Sequence, residues 1–339
     1  MSKNFDVISL GGAVEDIIFY TDKGKIIPTP QDLTAQRVVA FEYGAKINAK
    51  EIAFGVGGGA ANSAVAFARL GLKTAVIARL GLDDAGQKIR RALKKEKVNT
   101  DYLQGDSAQR TGFSLIVVVD KRDYEHVLFA NRGANERLVF NPAKYNRLDC
   151  RWLHVTSLSG ADWLKNLKAI FAFAGQQNIK VSWNPGNLQL QAGKKVLAGF
   201  LRATQVLSLN KDEAIELVIS GIKLGRKNPN YLNRPLYLLN ILQEWGPKIV
   251  VITDGPKGAW VYDGKKIYHQ KIFKSKVINT LGVGDAFNSG FLAGLMVEKN
   301  NIGSALKWGM ANSSTVVSKA GAQAGLLSRS ELLKKINHR

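Results

Sequence analysis

The sequence predicts an α/β fold in which a parallel sheet is covered by helices on both faces. From Cys150 onward, short apolar runs rich in β-branched residues alternate with longer runs that have helical spacing. Strands that are apolar throughout are typical of a parallel sheet buried between layers of helices. Two segments, about 17–53 and 111–131, break the alternation. They predict a small β appendage that is inserted in two pieces.

Length and composition predict one large domain, 1–339, that carries this appendage. Its apolar content of 45% is enough to bury a sizeable core. The single cysteine, Cys150, excludes an intrachain disulfide, and its apolar neighbours favour an inert buried thiol. No stretch has the apolar length of a signal peptide or a membrane span. We therefore expect a soluble, cytoplasmic protein with no membrane partner.

The net charge of +21 raises the question of nucleic-acid binding. The lysines, however, are scattered in small groups, and no aromatic residues lie among them to stack on bases. The charge is therefore interpreted as a general basic bias, and no nucleic-acid partner is expected. A weaker alternative is that it attracts a polyanionic substrate such as ATP.

The individual elements follow from local patterns. The chain opens with the strand FDVISL, which ends in the turn Gly11-Gly12. A helix starts in the glycine run at 57–59 and ends at Gly71. Residues 111–131 predict a hairpin around Lys121–Tyr124. Strands are predicted in CRWLHVTSLS, IKVSWNPG, TQVLSLN and KIVVITDG, and helices in WLKNLKAIFAFAGQQ, KKVLAGFLRA, KDEAIELVI, LYLLNILQEWG and most of the last 55 residues.

The motif NTLGVGDAFNSGFLAGLM, residues 279–296, carries the clearest chemistry. Gly282, Val283 and Gly284 precede a helix, so their N–H groups at its positive end suit a phosphate. Asp285 follows directly. A carboxylate there is a poor phosphate ligand but suits a base that takes a proton from an attacking hydroxyl. The alternative is an ordinary helix N-cap. The small residues that follow favour the functional interpretation, because they let the helix pack close to the sheet.

This motif resembles the C-terminal signature of the ribokinase-like (PfkB) family of sugar and nucleoside kinases, usually D-T-x-G-A-G-D. The segment GVGGGAANSAVAFARLGLKTAVIARLGLDDAGQKIRRAL resembles its N-terminal signature, including the turn formed by Gly81, Asp83 and Gly86. The other motifs occur in matching order, so the resemblance covers nearly the whole chain. It implies a doubly wound, mostly parallel sheet flanked by helices, with the β appendage as the family's lid.

The resemblance also implies roles for acceptor-site residues. Asp285 matches the family's catalytic base, and the three amides before it match its anion hole. Asp16 matches the acidic residue that binds sugar hydroxyls. Gly57 and Gly58 match hinge glycines, and Asn62 matches a substrate-binding asparagine. By themselves, Asp16 would be a turn residue and the glycines a flexible start to a helix.

On the nucleotide side, Asn210 and Glu213 match the N-x-x-E motif, which organises Mg²⁺, often through water. Such a sparse acidic site is reasonable because Mg²⁺ keeps several waters. The same spacing is that of a capping box, which is the structural alternative. Thr253, Gly255 and Gly258 match T-x-G-x-x-G and would line the phosphates and ribose of ATP. Alone, this pattern is a turn between two strands.

Three further positions complete the comparison with the family. The segment GMANSSTVVSKAGAQAGLL resembles the helix and loop on the family's adenine side, where Asn312 is expected to approach the base. Asn279 replaces the first signature Asp, which helps bind a monovalent cation, so a weaker pull on such a cation is expected. Arg132, in NRGAN, is either a phosphate clamp on the lid side or a solvated residue.

The sequence therefore predicts an ATP- and Mg²⁺-dependent carbohydrate kinase that phosphorylates a hydroxymethyl group of a sugar. One alternative is a nucleoside kinase with an adenosine-like acceptor. Another is a non-catalytic protein that binds a sugar or a nucleotide. Because lid strands in relatives often pair between subunits, a homodimer through the lid is plausible.

Overall fold

The computed structural model describes residues 4–29, 37–119, 126–145, 148–223, 229–278 and 280–337. The predicted hairpin turn at Lys121–Tyr124 and the residue Asn279 both lie wholly outside these ranges. The strands are β1 (Phe5–Leu10), β2 (Val14–Tyr20), β3 (Lys25–Pro28), β4 (Arg37–Ala40), β5 (Glu51–Gly57), β6 (Thr74–Ile77), β7 (Arg79–Gly81), β8 (Gln104–Asp106), β9 (Thr111–Val118), β10 (His126–Gly133), β11 (Cys150–Val155), β12 (Lys180–Trp183), β13 (Val206–Asn210), β14 (Ile249–Thr253), β15 (Ala259–Tyr262) and β16 (Ile267–Gln270). The helices are α1 (Gly59–Arg69), α2 (Asp84–Lys95), α3 (Trp163–Gln176), α4 (Asn187–Ala203), α5 (Lys211–Ile219), α6 (Pro235–Glu244), α7 (Val283–Val297), α8 (Ile302–Val316) and α9 (Arg329–Asn337).

The central sheet has the strand order β16-β15-β14-β13-β12-β11-β1-β6. Neighbouring strands from β6 to β14 pair in parallel, whereas β15 and β16 add an antiparallel edge. The predicted mostly parallel α/β sheet is confirmed. In such a sheet the carboxyl ends of the parallel strands share one edge, and ligands bind there.

Helices cover both faces of this sheet, and alternate residues of β1 show the division. Ile8 and Leu10 pack into a cluster that includes residues of α3, α4, α5 and α6. Val7 packs into a second cluster with residues of α1, α7, α8 and α9. Successive side chains of a strand point to opposite faces, so the two clusters are separate cores on either side of the sheet. Cys150 is a free, buried thiol within the first cluster, in agreement with the sequence.

A second, smaller sheet has the order β10-β9-β2-β5. Strand β2 pairs with β5 in antiparallel fashion and with β9 in parallel fashion. Burial alternates along β2, with Val14, Asp16, Ile18 and Tyr20 on the buried side. Asp16 therefore lies within a strand and not in the turn that local sequence suggested, because pairing with two neighbours holds the segment extended.

The small residues of α7 serve a contact other than the predicted one. A Cβ atom added to Gly290 would lie 3.0 Å from Cα of Gly309, and one added to Gly294 would lie 2.7 Å from Cα of Ala305. These glycines therefore allow α7 to pack closely against α8, whereas the sequence suggested close packing on the sheet. Within the described part of the chain, no helix combines the length and apolar character needed to cross a membrane.

Candidate active site

The first turns of α1 and α7 meet through a side-chain hydrogen bond. Asn62 Nδ2 donates to Asp285 Oδ2 at 2.8 Å. Gln323 Nε2 in turn donates to Asn62 Oδ1 at 3.0 Å, which fixes the orientation of the Asn62 amide. The Arg69 guanidinium holds the Gln323 loop by donating to the Gln323 carbonyl oxygen at 2.9 Å. The structure therefore places Asn62 behind Asp285 as a residue that orients the carboxylate.

Gln323 was missed by the sequence analysis. It lies in the loop after α8, in the stretch GAQAG that was compared only with the adenine side of the family. No local pattern marks this glutamine, because its partner Asn62 lies at the other end of the chain.

The start of α7 forms a cradle of backbone amides. Gly282 is the N-cap with φ 71°, a left-handed conformation that favours glycine. The first helical hydrogen bond runs from Ala286 N to Gly282 O at 2.9 Å, so the amides before Ala286 have no acceptor within the helix. A Cβ added to Gly282 would lie 2.6 Å from Cβ of Ala322, whereas one at Gly284 would meet nothing within 4 Å. The cradle thus has one crowded side and one open side.

Three carboxylates share the electrostatic environment of this cradle. Burial is the main cause that raises the pKa of Asp16 to about 6 and that of Glu213 to about 7, and the charge of Asp285 contributes to both values. Burial also raises the pKa of Asp285, while the hydrogen bond from Asn62 opposes that rise. The structure therefore brings Asp16 and Glu213 each close enough to interact with Asp285, although the three lie far apart in sequence.

The two glycines at the end of β5 are required by close approach. A Cβ at Gly57 would overlap the carboxylate of Asp16, and one at Gly58 would lie 2.5 Å from Gly12 O. Gly58 also has φ 91°. The β5–α1 turn is therefore pressed against Asp16 and the β1–β2 turn, so these glycines do more than provide flexibility.

On the neighbouring strand ends, Asn210 and Glu213 form a reciprocal capping box. Glu213 N donates to Asn210 Oδ1 at 2.8 Å, and Asn210 N donates to Glu213 Oε2 at 2.9 Å. The structural alternative is thus present, and it leaves Glu213 Oε1 free of that pair. Across the described residues, no group of three or more His, Cys, Asp or Glu is arranged to hold a metal. Any metal here would rely on water and phosphate for most of its ligands.

Thr253 pairs in register with Asn210, so the ends of β14 and β13 lie side by side. Gly255 has φ 47° and open space at its Cβ position. Gly258 has φ 95°, and a Cβ there would overlap Gln270 O. Both glycines are thus required by backbone conformation, and Gly255 leaves the strand end open to a ligand.

Lys211, which the sequence analysis did not single out, adds a cation to this edge of the sheet. Its Nζ lies 3.3 Å from Asp254 Oδ1, and both side chains are largely buried. A lysine directly after Asn210 gives no signal of its own, because only the pairing of β13 with β14 brings it to Asp254.

Asn312 has a packing role. It is fully buried, its Nδ2 donates to Ala286 O at 2.9 Å, and its Oδ1 accepts from Leu327 N at 3.0 Å. Both ends of the amide therefore bind backbone and join α7, α8 and the following loop. The approach of Asn312 to an adenine base stays a prediction.

A small cavity opens at the carboxyl ends of β1 and β11, and its lining includes Val14, which lies on the same face of β2 as Asp16. Its lining includes the two glycine turns and the end of β10, which contributes Arg132. The lining residues are Gly12, Val14, Gly58, Gly59, Arg132, Asn135, Ser157 and Ser159.

Comparison with known proteins agrees with this geometry. The ribokinase of Haemophilus influenzae is 28% identical over 314 residues, which cover 90% of this chain and 96% of that protein. The structure of Arabidopsis thaliana ribokinase complexed with ribose and ATP superposes with a TM-score of 0.75, at 22% identity and 99% coverage of both chains. Burkholderia thailandensis nucleoside kinase in complex with inosine superposes with a TM-score of 0.77, at 16% identity and 98% coverage of both. Residues 31–329 match the model of the pfkB family of carbohydrate kinases, so the chain belongs to that family of sugar and nucleoside kinases.

Proposed function

We propose that the protein transfers the γ-phosphoryl group of ATP to a hydroxymethyl group of a sugar, with Asp285 as general base. The observation that carries the proposal is the position of Asp285. It follows an open amide cradle at the start of α7, and its Oδ2 accepts a hydrogen bond from Asn62 Nδ2 at 2.8 Å. A base and an anion site from one helix turn are what in-line phosphoryl transfer requires.

The residues of the cleft divide the reaction between them. The amides of Gly282, Val283 and Gly284 stabilise the charge that develops on the migrating phosphoryl group. Asp285 accepts the proton of the attacking hydroxyl. Its raised pKa makes it a stronger base than an exposed aspartate, and the Asn62 hydrogen bond keeps the carboxylate ionised and aimed.

Asp16 accepts hydrogen bonds from the sugar's other hydroxyls. It is 3% exposed and lies against Gly57. A buried carboxylate of this kind gains most from a ligand that replaces lost water with O–H donors. Binding of the sugar at Asp16 would thus orient the hydroxymethyl group toward Asp285.

The nucleotide lies, in this proposal, along the ends of β13 and β14. Asn210, Thr253, Gly255 and Gly258 line its phosphates and ribose. Glu213 would hold Mg²⁺ through water, and the bound ion would supply neutralisation of phosphate charge. The raised pKa of Glu213 fits that role, since an added cation would relieve its interaction with Asp285. A cytoplasmic location stays part of the proposal, and the proposed use of ATP and Mg²⁺ supports it.

The small sheet acts as a lid, and we propose that its outer face pairs with a second copy. Phe54, Ile17, Leu115 and Phe129 lie side by side in register on the face opposite Asp16. Phe54 is 68% exposed and Phe129 is 55% exposed. A contiguous exposed apolar row marks an interface, and a two-fold copy presents the same row in return. Light scattering should show a dimer that Phe54→Ser converts to monomer, whereas a wild-type monomer would contradict the pairing.

A coupled ADP-release screen tests the kinase assignment. Ribose, fructose, adenosine and inosine are offered as acceptors with Mg²⁺ and ATP. Asp285→Asn should lower turnover by about 10²- to 10⁴-fold, the usual contribution of a positioned base. Asp162→Asn, which removes an exposed carboxylate at the start of α3, is the matched control and should leave turnover unchanged. Equal turnover in Asp285→Asn and wild type would remove the base assignment.

A further inference from the structure

We propose that the acceptor carries an oxyanion group, a carboxylate or a phosphate, and that Arg132, Ser157 and Ser159 form the subsite that binds it. The inference rests on the proposed kinase function and deepens it by naming the chemical class of the acceptor.

The cavity at the carboxyl ends of β1 and β11 has an unusual balance of groups. Among the residues that line it, Arg132 is the one ionisable side chain, and Ser157 and Ser159 supply hydroxyls. The two serines follow the carboxyl end of β11, and Arg132 comes from the end of β10. Arg132, an exposed residue, and two serines from a separate segment thus border one small space whose lining includes no carboxylate.

Two other polar groups of the cavity lining, the Asn135 amide and the carbonyl oxygen of Gly12, are bound within the protein. Asn135 Oδ1 accepts from Ala13 N at 3.1 Å, and its Nδ2 donates to Ala13 O at 2.8 Å. Gly12 O accepts from Ala60 N at 3.1 Å. These bonds tie the Asn135 amide and Gly12 O to the backbone of the neighbouring turns.

The side-chain polar groups of the proposed subsite, by contrast, have no bonding partner among the described residues. Across the described ranges, neither the serine hydroxyls nor the Arg132 guanidinium makes a hydrogen bond or an ion pair with another residue. A cation with two free hydroxyls is the donor set that a carboxylate or phosphate group satisfies.

The backbone of Arg132 is held at the cavity. Its carbonyl oxygen accepts from Asn135 Nδ2 at 3.2 Å, and the same amide binds the β1–β2 turn through Ala13. Gly133, which follows, has φ 49° and would overlap Arg110 O if it carried a Cβ. The end of β10 is therefore fixed to the turn that leads into β2 and Asp16.

Asp16 and Arg132 then impose opposite demands on one acceptor. Asp16 accepts hydrogen bonds from hydroxyls and repels an anion, whereas Arg132 attracts one. A polyhydroxylated acceptor with an oxyanion at the end away from its hydroxymethyl group satisfies both, and it binds in one orientation only. The net charge of +21 would also speed the approach of such an acceptor.

Two matched pairs of acceptors test the inference. D-gluconate is compared with D-sorbitol for the carboxylate, and fructose 6-phosphate with fructose for the phosphate. We expect one anionic member to exceed its neutral partner at least tenfold in kcat/KM. Arg132→Gln should lower that value by about 10- to 100-fold, mainly through KM, because a hydrogen bond to a charged group is lost. Activity on the neutral partner should stay within twofold.

Arg91→Gln is the matched control, because it removes the same charge from an exposed position on α2. The Arg91→Gln variant should leave kcat/KM unchanged for both members of each acceptor pair. Neutral acceptors that equal or exceed both anions, or an Arg132→Gln variant that loses equally on charged and neutral acceptors, would overturn the subsite.

A binding measurement separates this inference from the kinase assignment. Gluconate or fructose 6-phosphate should raise the Tm of wild type and of Asp285→Asn, and should raise that of Arg132→Gln far less. If ADP release fails on every acceptor while this pattern holds, the subsite stands and the proposed reaction falls. If ADP release succeeds on neutral acceptors and neither anion shifts the Tm, the subsite falls and the kinase stands.

Discussion

Replacing Asp16 by asparagine should stabilise the protein while abolishing its use of sugars. The Asp16 carboxyl is 3% exposed, and burial with the neighbouring charge of Asp285 raises its pKa from 3.8 to about 6. Between these two pH values the folded protein holds a proton that the unfolded chain has released. The free energy of unfolding therefore falls as the pH rises through this window.

The size of the effect follows from the same pKa difference. At about 1.4 kcal/mol per pH unit, a rise from 3.8 to about 6 corresponds to about 3 kcal/mol lost above pH 6. Asparagine has the same shape and no charge. Asp16→Asn should thus match wild type near pH 4 and exceed it by up to about 3 kcal/mol at pH 7.5.

Urea unfolding at pH 4, 5, 6 and 7.5 measures this difference, and Asp162→Asn is the exposed control. Coupled ADP release on the same variants should show loss of sugar phosphorylation in Asp16→Asn alone. Parallel stability curves for wild type and Asp16→Asn would refute the reasoning, because Asp16 would then keep its ordinary pKa.

Three further outcomes are expected. Gln323→Leu removes the donor that orients Asn62 and should lower kcat about tenfold with little change in KM; an unchanged kcat would show that Asn62 is held without it. Gly282→Ala forces a side chain into φ 71° and against Ala322, so it should cost about 1–3 kcal/mol of stability by denaturant unfolding and reduce ADP release. Lys211→Met leaves Asp254 without its closer cation and should raise KM for ATP. The double variant with Asp254→Asn should regain stability but not ATP affinity. Recovery of both would assign Lys211 to folding alone.

Local sequence was sufficient for most of the architecture. Apolar β-branched runs and helical spacing report directly which segments are buried on both faces, so the parallel sheet and its helices were predictable. The start of α7 was equally predictable, because a Gly-x-Gly-Asp motif at the N-terminus of a helix has few physical interpretations. Strand β2 was harder to predict, because two acidic residues interrupt its apolar pattern. Its extended conformation depends on pairing with strands on both sides.

The chemistry of the cleft depends on contacts between distant segments. The sequence alone determined that Asp285 stands beside free amides, because both belong to one helix turn. It did not show that Asn62 and Gln323 orient that carboxylate, or that Glu213 interacts with its charge. It also did not show that Arg132 borders the same cleft as Asp16. Hydrogen bonds, charge interactions and burial depend on distance in space, and only folding sets those distances for residues so far apart along the chain.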